Sequence, residues 1–206
     1  IGPHCSYPYD CDFMSHCWSH IPEVSIFDLI RFSTNKKLEL YSEGIIDMYQ
    51  LHEDYKLSEG QKMQVESYLN KQDYINISSI HRFLSNIKYP VYFMDFETFQ
   101  SAIPLFDNSK PYQQVPFQFS VHYKSNREAE HSHIEFLAEA IGDPRANFIV
   151  ALLKATEGPG TILTYNQALE IARLKELSTD FPKYKVDLEE RISRVMDLMT
   201  PFSKRW

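Results

Sequence analysis

The stretch YPVYFMDFETFQS, residues 89–101, carries two carboxylates, Asp95 and Glu97, within a run of apolar and aromatic residues. The segment from Val91 to Thr98 has the composition of a central strand in which nearly every residue is buried. Residues two apart on a strand face the same side, so Asp95 and Glu97 project together. Buried carboxylates are costly unless a partner neutralises them. The stretch therefore predicts an α/β domain with a neutralising partner at this strand.

Two interpretations of the acidic pair are possible. In the first, the strand ends near Phe93 and the two acids are simply exposed. In the second, the acids hold a divalent metal ion, because Mg²⁺ and Mn²⁺ prefer oxygen ligands. Aromatic residues on both sides of the pair, Phe93, Phe96 and Phe99, favour the second interpretation. Two such ions about 4 Å apart would clamp the attacking and leaving oxygens of a phosphodiester.

Composition sets limits on the class of protein. The 206 residues are 43% hydrophobic and 24% charged, as in an ordinary globular protein, and the net charge is −7. That charge argues against a broad basic surface for duplex nucleic acid, but a nuclease site is itself acidic. The longest apolar run, Phe148 to Leu153, is too short to span a bilayer, and no signal peptide is visible. We expect a cytoplasmic protein without a membrane partner, and a chain that begins with Ile1 as a piece of a longer protein.

Secondary structure follows from periodicity after Tyr89. Strict alternation from Val115 to Tyr123 predicts a half-buried antiparallel strand, and a third strand is expected at Ser132 to Phe136. The expected later elements are a helix over 144–156, a strand over 161–165, and helices over 167–178 and 185–196. The first three strands should form a meander, and the fourth, after a helical crossover, should lie parallel in the same sheet.

A further candidate acid is Glu170, one turn into the helix that follows the fourth strand. It shares a helix stripe with Leu174 and Leu177, which would turn it inward. The alternative is a surface Glu that pairs with Arg173 at i,i+3. Position alone does not choose between the two.

The motifs resemble a known enzyme family. YFMDFET and, further along the chain, ILTYNQALEIARL resemble the first two motifs of the DnaQ-like (DEDD) 3′-5′ exonucleases. More closely, residues 89–202 resemble an uncharacterised family of DnaQ-like domains whose members carry YP.YFLDFET and DL..PF and often follow a RecB-type iron–sulfur nuclease domain. The resemblance implies an RNase H-like mixed sheet with flanking helices, incomplete at its C-terminus and preceded by a small helical region.

The resemblance also implies roles for individual residues. Asp95 would bridge two Mg²⁺ or Mn²⁺ ions, Glu97 would bind the ion that activates water, and Glu170 would replace the second-motif Asp. The third motif has no match before Trp206, and Asp197 resembles a conserved non-catalytic Asp. The implied activity is hydrolysis of terminal phosphodiesters of DNA or RNA, with a single-stranded end as partner. The alternative is a catalytically degenerate RNase H-like module that binds nucleic acid or protein.

The segment 1–20 is rich in cysteine, histidine and aromatic residues. Cys5, Cys11 and Cys17 resemble the C-terminal cysteine cluster of RecB-type iron–sulfur nucleases, which takes a fourth Cys from far upstream. The segment is thus expected to be the remnant of an iron–sulfur region, with an upstream RecB-type domain as partner. In this chain the three thiols are expected to be free, within a small hydrophobic plug.

Residues 21–88 are predicted to form a helical connector before an exonuclease domain at 89–206. SEGQ, residues 58–61, is a capping box that should open a helix ending near Lys71. YSEGIIDMYQL, with its turn at Gly44, resembles a helix-hairpin-helix element whose amides would contact phosphates. A plain packing module between two catalytic domains is an equal alternative.

Overall fold

The computed structural model describes residues 1–51 and 55–203. The chain divides into two compact units, Ile1–Asn76 and Ile77–Trp206. The sequence pattern changes from helix to strand near residue 88, whereas the contacts divide the chain between residues 76 and 77. The helix that starts at residue 77 therefore belongs to the second unit. Residues 52–54 of the predicted connector and 204–206 of the predicted exonuclease domain lie outside the described residues.

The first unit is helical. Its α-helices are α1 (Met14–Cys17), α2 (Thr34–Ser42) and α3 (Glu59–Asn70). The predicted capping box at α3 is confirmed, because the Ser58 N–H donates to Gln61 Oε1 at 2.8 Å. The core of this unit consists of five buried apolar residues: Ile26, Leu29, Leu40, Met48 and Val65.

The turn at Gly44 differs from the expected helix-hairpin-helix element. Gly44 has φ +81°, a conformation that glycine adopts without steric cost, and it follows the end of α2. The segment after it forms one turn of 3₁₀-helix, Met48–Gln50, where a second α-helix was expected. The Asp47 side chain caps this short helix by accepting the Tyr49 N–H at 3.0 Å. Within the described residues 44–51, this single turn is the only helical segment after Gly44.

The second unit is α/β. Its elements in chain order are α4 (Ile77–Ser85), β1 (Val91–Gln100), β2 (Gln114–Lys124), β3 (Ser132–Leu137), α5 (Arg145–Ala155), β4 (Thr161–Thr164), α6 (Ala168–Asp180), α7 (Lys185–Ser193), β5 (Val195–Asp197) and α8 (Thr200–Ser203).

The strands form one mixed five-stranded sheet in the order β3-β2-β1-β4-β5. Strands β1, β2 and β3 pair antiparallel, whereas β4 is parallel to β1 and β5 is parallel to β4. The predicted fold class is confirmed: an α/β, RNase H-like layout of mixed sheet and flanking helices, preceded by a small helical region.

The end of the helix α7 differs from the prediction. The expected helix over 185–196 ends at Ser193, and Val195–Asp197 forms the edge strand β5. A three-residue strand is too short to show a period of two, so the helical pattern before it masked it. Val195 lies opposite Ile162 of β4. The correction matters because it moves Asp197 to the end of a parallel strand.

The core of the second unit lies on one face of the sheet. Tyr92, Met94 and Phe96 of β1 are buried in one cluster with apolar residues of the helices: Phe148, Ile149 and Leu152 of α5, Leu174 and Leu177 of α6, and Leu188 of α7. The opposite face of β1 is open, with Phe93 40% exposed and both acids exposed. The expectation that nearly every residue of β1 is buried is therefore wrong. In the described part of the chain, no helix has both the length and the apolar character to cross a bilayer.

Candidate metal centre

Asp95 and Glu97 lie together on the open face of β1, as their spacing predicted. Asp95 is paired across the ladder with Ser120, and Glu97 with Gln118. Asp95 Oδ1 accepts the N–H of Phe96 at 3.1 Å. The register shifts immediately after Glu97, where a bulge increases the twist of the strand pair. Because both side chains are exposed to water, their charges cost little on this strand.

Glu170 lies in the first turn of α6 and is only 3% exposed. Among the described residues its Oε2 finds no hydrogen-bond partner. Arg173, the alternative surface partner, instead donates to Glu176 Oε1 at 2.8 Å and to Gln114 Oε1. The structure therefore places Glu170 inward, with a carboxylate oxygen that lacks a compensating donor.

The electrostatics of Glu170 connect it to two other acids. Burial raises the pKa of the Glu170 carboxyl, its own backbone N–H lowers it, and the charges of Asp95 and Asp197 raise it further. The net shift is upward. Asp95 of β1 and Asp197 of β5 therefore lie close enough to Glu170 of α6 for their charges to raise its pKa. Such a concentration of negative charge favours either a proton or a cation.

Asp197, which the sequence interpretation named as a non-catalytic Asp, is the second acid whose charge acts on Glu170. It ends β5, and its Oδ1 accepts the N–H groups of Asn166, at 2.8 Å, and Met199, at 2.9 Å. These bonds join the turn after β4 to the end of β5. The place of Asp197 at the end of a strand was not foreseen, because residues 185–196, just before it, were predicted to be helical.

The fit to a divalent cation is partial. Within residues 1–51 and 55–203, no three His, Cys, Asp or Glu side chains form a group that could hold a metal ion. Mg²⁺, however, usually binds through one or two carboxylates and keeps several waters. The orphaned Glu170 Oε2 and a second buried orphan, Thr164 Oγ1 on β4, are oxygen atoms of the kind that such an ion or its waters would satisfy. A Mg²⁺ or Mn²⁺ ion bound by two carboxylates would satisfy these two oxygen atoms.

The cysteine segment gives no comparable group. Cys5 is buried, Cys11 is partly buried and Cys17 is exposed, and all three are free. Cys11 donates its backbone N–H to the Cys5 carbonyl at 2.9 Å, so the backbone draws these two together. The third cysteine does not complete a metal group with them. An iron–sulfur cluster in a longer protein remains a prediction from the resemblance.

Comparison with known proteins places the second unit in a family. Residues 92–206, more than half of the chain, match a family model described as a domain of unknown function (DUF2779). Searches of the curated proteins and of the solved structures gave no match. The matched range begins in β1 and includes the candidate acids Asp95, Glu97, Glu170 and Asp197. The chain belongs to the DUF2779 family.

Proposed function

We propose that the second unit is the catalytic part of a metal-dependent 3′-5′ exonuclease that hydrolyses terminal phosphodiesters of DNA or RNA. One observation carries the proposal. The buried Glu170 carboxylate has an orphan oxygen and lies beside the charges of Asp95 and Asp197. A purely structural role does not require a buried carboxyl oxygen without a donor near two other acidic charges. The resemblance to DnaQ-like exonucleases supports the same conclusion, and the RNase H-like sheet is the layout that it implies.

Each acid has its own role in the proposed site. Asp95 and Glu170 are the oxygen donors that would hold Mg²⁺ or Mn²⁺, and Glu97, exposed two residues beyond Asp95, would hold a second ion. Bound ions supply the charge that activates water and stabilises the leaving oxygen of a phosphodiester. Asp197 positions the end of β5 through its two backbone bonds. A cytoplasmic setting and an upstream RecB-type nuclease domain with an iron–sulfur cluster belong to the proposal through the resemblance.

End-labelled single strands of DNA and RNA test the proposal. The strands are incubated with the protein and Mg²⁺ or Mn²⁺, and the products are resolved by length. The wild type should shorten the strands from the 3′ end, and Asp95→Asn should lower the rate at least about 100-fold, as expected when a group that stabilises the transition state is lost. Glu139→Gln, a change at an exposed acid outside the group, is the matched control. Shortening that is equal in Asp95→Asn and the wild type would refute the role of Asp95.

A second candidate is a nucleic-acid-binding module that keeps the fold without the chemistry. The absence of a three-ligand group among the described residues favours it. So does a Glu at the position where the exonuclease motif has Asp. This module would bind single strands and leave them intact whichever metal ion is added, whereas the exonuclease would shorten them in Mg²⁺ or Mn²⁺.

A further inference from the structure

Three ring side chains form a row across the open face of the sheet. The register pairs Phe93 of β1 with His122 of β2, and His122 with His133 of β3, so the three side chains leave the sheet on one face. The rings of His122 and His133 stack, with centroids 4.4 Å apart and planes 16° apart. Phe93 and His133 are exposed. These three residues are the ring row.

The ring row lies next to the carboxylates. The adjacent row across the same strands consists of Asp95, Ser120 and Glu135. Two residues along a strand span about 7 Å, twice the roughly 3.4 Å rise of stacked bases. A single strand with its bases unstacked covers that distance in one nucleotide. A nucleic-acid strand whose end reaches Asp95 would therefore place the base of its neighbouring nucleotide at the ring row.

The chemistry of the ring row suits a base and not a phosphate. Because His122 and His133 cover one imidazole face of each other, the row offers the remaining face of each imidazole and the phenyl ring of Phe93. Such faces stack on any nucleobase. The acids on the same face, Asp95 and Glu135, repel the phosphate backbone, while Lys124, one row beyond His122 on β2, offers it a cation. A duplex presents base edges in its grooves and hides the base faces. The occupant that fits this arrangement is an unpaired strand.

We propose that the ring row is a base-stacking platform for single-stranded nucleic acid at the entrance to the carboxylate centre. The proposal rests on the proposed function only for the direction in which the strand runs. Stacking on the row requires neither hydrolysis nor a metal ion. Base stacking on the ring row and hydrolysis at the carboxylates can therefore be tested, and refuted, independently.

The test measures binding without cleavage. The 206-residue chain is titrated in EDTA against a fluorescent single-stranded oligonucleotide and against an abasic strand of equal length, and anisotropy gives Kd. His122→Ala should weaken binding of the intact strand roughly 10-fold, the effect of losing one stacked base. It should leave binding of the abasic strand unchanged. His122→Phe keeps a flat ring and should restore the affinity, which separates stacking from imidazole charge.

His81→Ala, at an exposed histidine of α4, is the matched control and should not change Kd. Equal loss on intact and abasic strands would overturn the platform, as would no loss with His122→Ala or no binding by the wild type. Row-dependent binding without any cleavage under Mg²⁺ or Mn²⁺ would support the platform and remove the exonuclease. Cleavage of the strands, together with binding that is unchanged by His122→Ala, would support the exonuclease and overturn the platform.

Discussion

The buried carboxyl group of Glu170 bears on function because it costs the fold stability. Its pKa is raised by burial and by two neighbouring acids, and one of its oxygens lacks a donor. A protein that needed only a stable fold would gain by replacing it with an amide or an apolar side chain. The carboxylate thus costs stability unless a cation occupies the site. That cost can be measured.

Glu170→Gln should make the protein more stable at neutral pH. Because the folded state holds the Glu170 proton more tightly than the unfolded chain, stability falls as pH rises above the ordinary Glu pKa of about 4.3. The fall ends once the pH passes the raised pKa of the folded state. The variant lacks this loss, so its Tm should exceed that of the wild type at pH 8, and the difference should shrink towards pH 4.

Differential scanning calorimetry in EDTA measures the difference, with Glu139→Gln as the exposed control. Adding Mn²⁺ at roughly 100 times its Kd should then stabilise the wild type by about 2.7 kcal/mol and the variant by less. A wild type that is as stable as Glu170→Gln across the pH range in EDTA would contradict this account.

The connection between β1 and β2 is held by a buried cation. Arg145, 3% exposed at the start of α5, donates to Asp143 at 2.7 Å, to Asp180 of α6 at 3.2 Å and to the Asp107 carbonyl at 3.0 Å. Hydrogen bonds to Asp143 raise the pKa of Arg145 against the effect of burial, and both acids add to the rise. One side chain therefore joins two helices to the loop that leads away from Glu97.

Arg145→Ala should destabilise the second unit by about 3 kcal/mol, because it leaves two partly buried carboxylates without their cation. Equilibrium urea unfolding of the purified variant measures the change. Lys185→Ala is the control, since Lys185 and Glu189 are each 57% exposed and 3.8 Å apart. That exposed pair should contribute at most about 0.5 kcal/mol. Equal losses in both variants would show that burial does not govern the value of these ion pairs.

The elements that the sequence predicted correctly are the long ones, in which a helical or alternating pattern repeats several times. Alternation from Val115 to Tyr123 located β2. The stripe at Glu170, Leu174 and Leu177 located α6 but left the inward and the surface alternatives for Glu170 open, and the structure shows it buried. β5 was missed because three residues carry no period, so the sequence did not place Asp197 at the end of a strand. The open face of β1 was missed because Phe93 reads as a core residue in sequence, and only the placement of the helices decides which face of a sheet is covered.

Each unit of the chain has its own apolar core. Ile26, Leu29 and Met48 belong to a cluster in Ile1–Asn76, whereas the sheet and its helices form another in Ile77–Trp206. A unit that buries its own apolar residues has the driving force to fold alone. The two units should therefore behave as separate domains.

A fragment of residues 77–206 should fold without the first 76 residues. Its thermal unfolding, followed by circular dichroism, should be cooperative, and it should keep the mixed helix and strand content of the intact chain. The matched fragment 89–206, which follows the boundary seen in the sequence pattern, lacks α4 and should be less stable. A fragment 77–206 that melts without a transition would show that the division by contacts is not a division of folding.

The strand order has a consequence for biosynthesis. β1, β2 and β3 are neighbours both in the chain and in the sheet, so this antiparallel part can pair as soon as it is made. β4 and β5 join the other side of β1 later, through parallel pairing that waits for distant residues. Asp95 is thus translated and placed early, while Asp197 arrives with the last strand. The charges of Asp95 and Asp197 can therefore act on Glu170 together only after β5 has paired with β4, and the proposed cation would find its complete site only then.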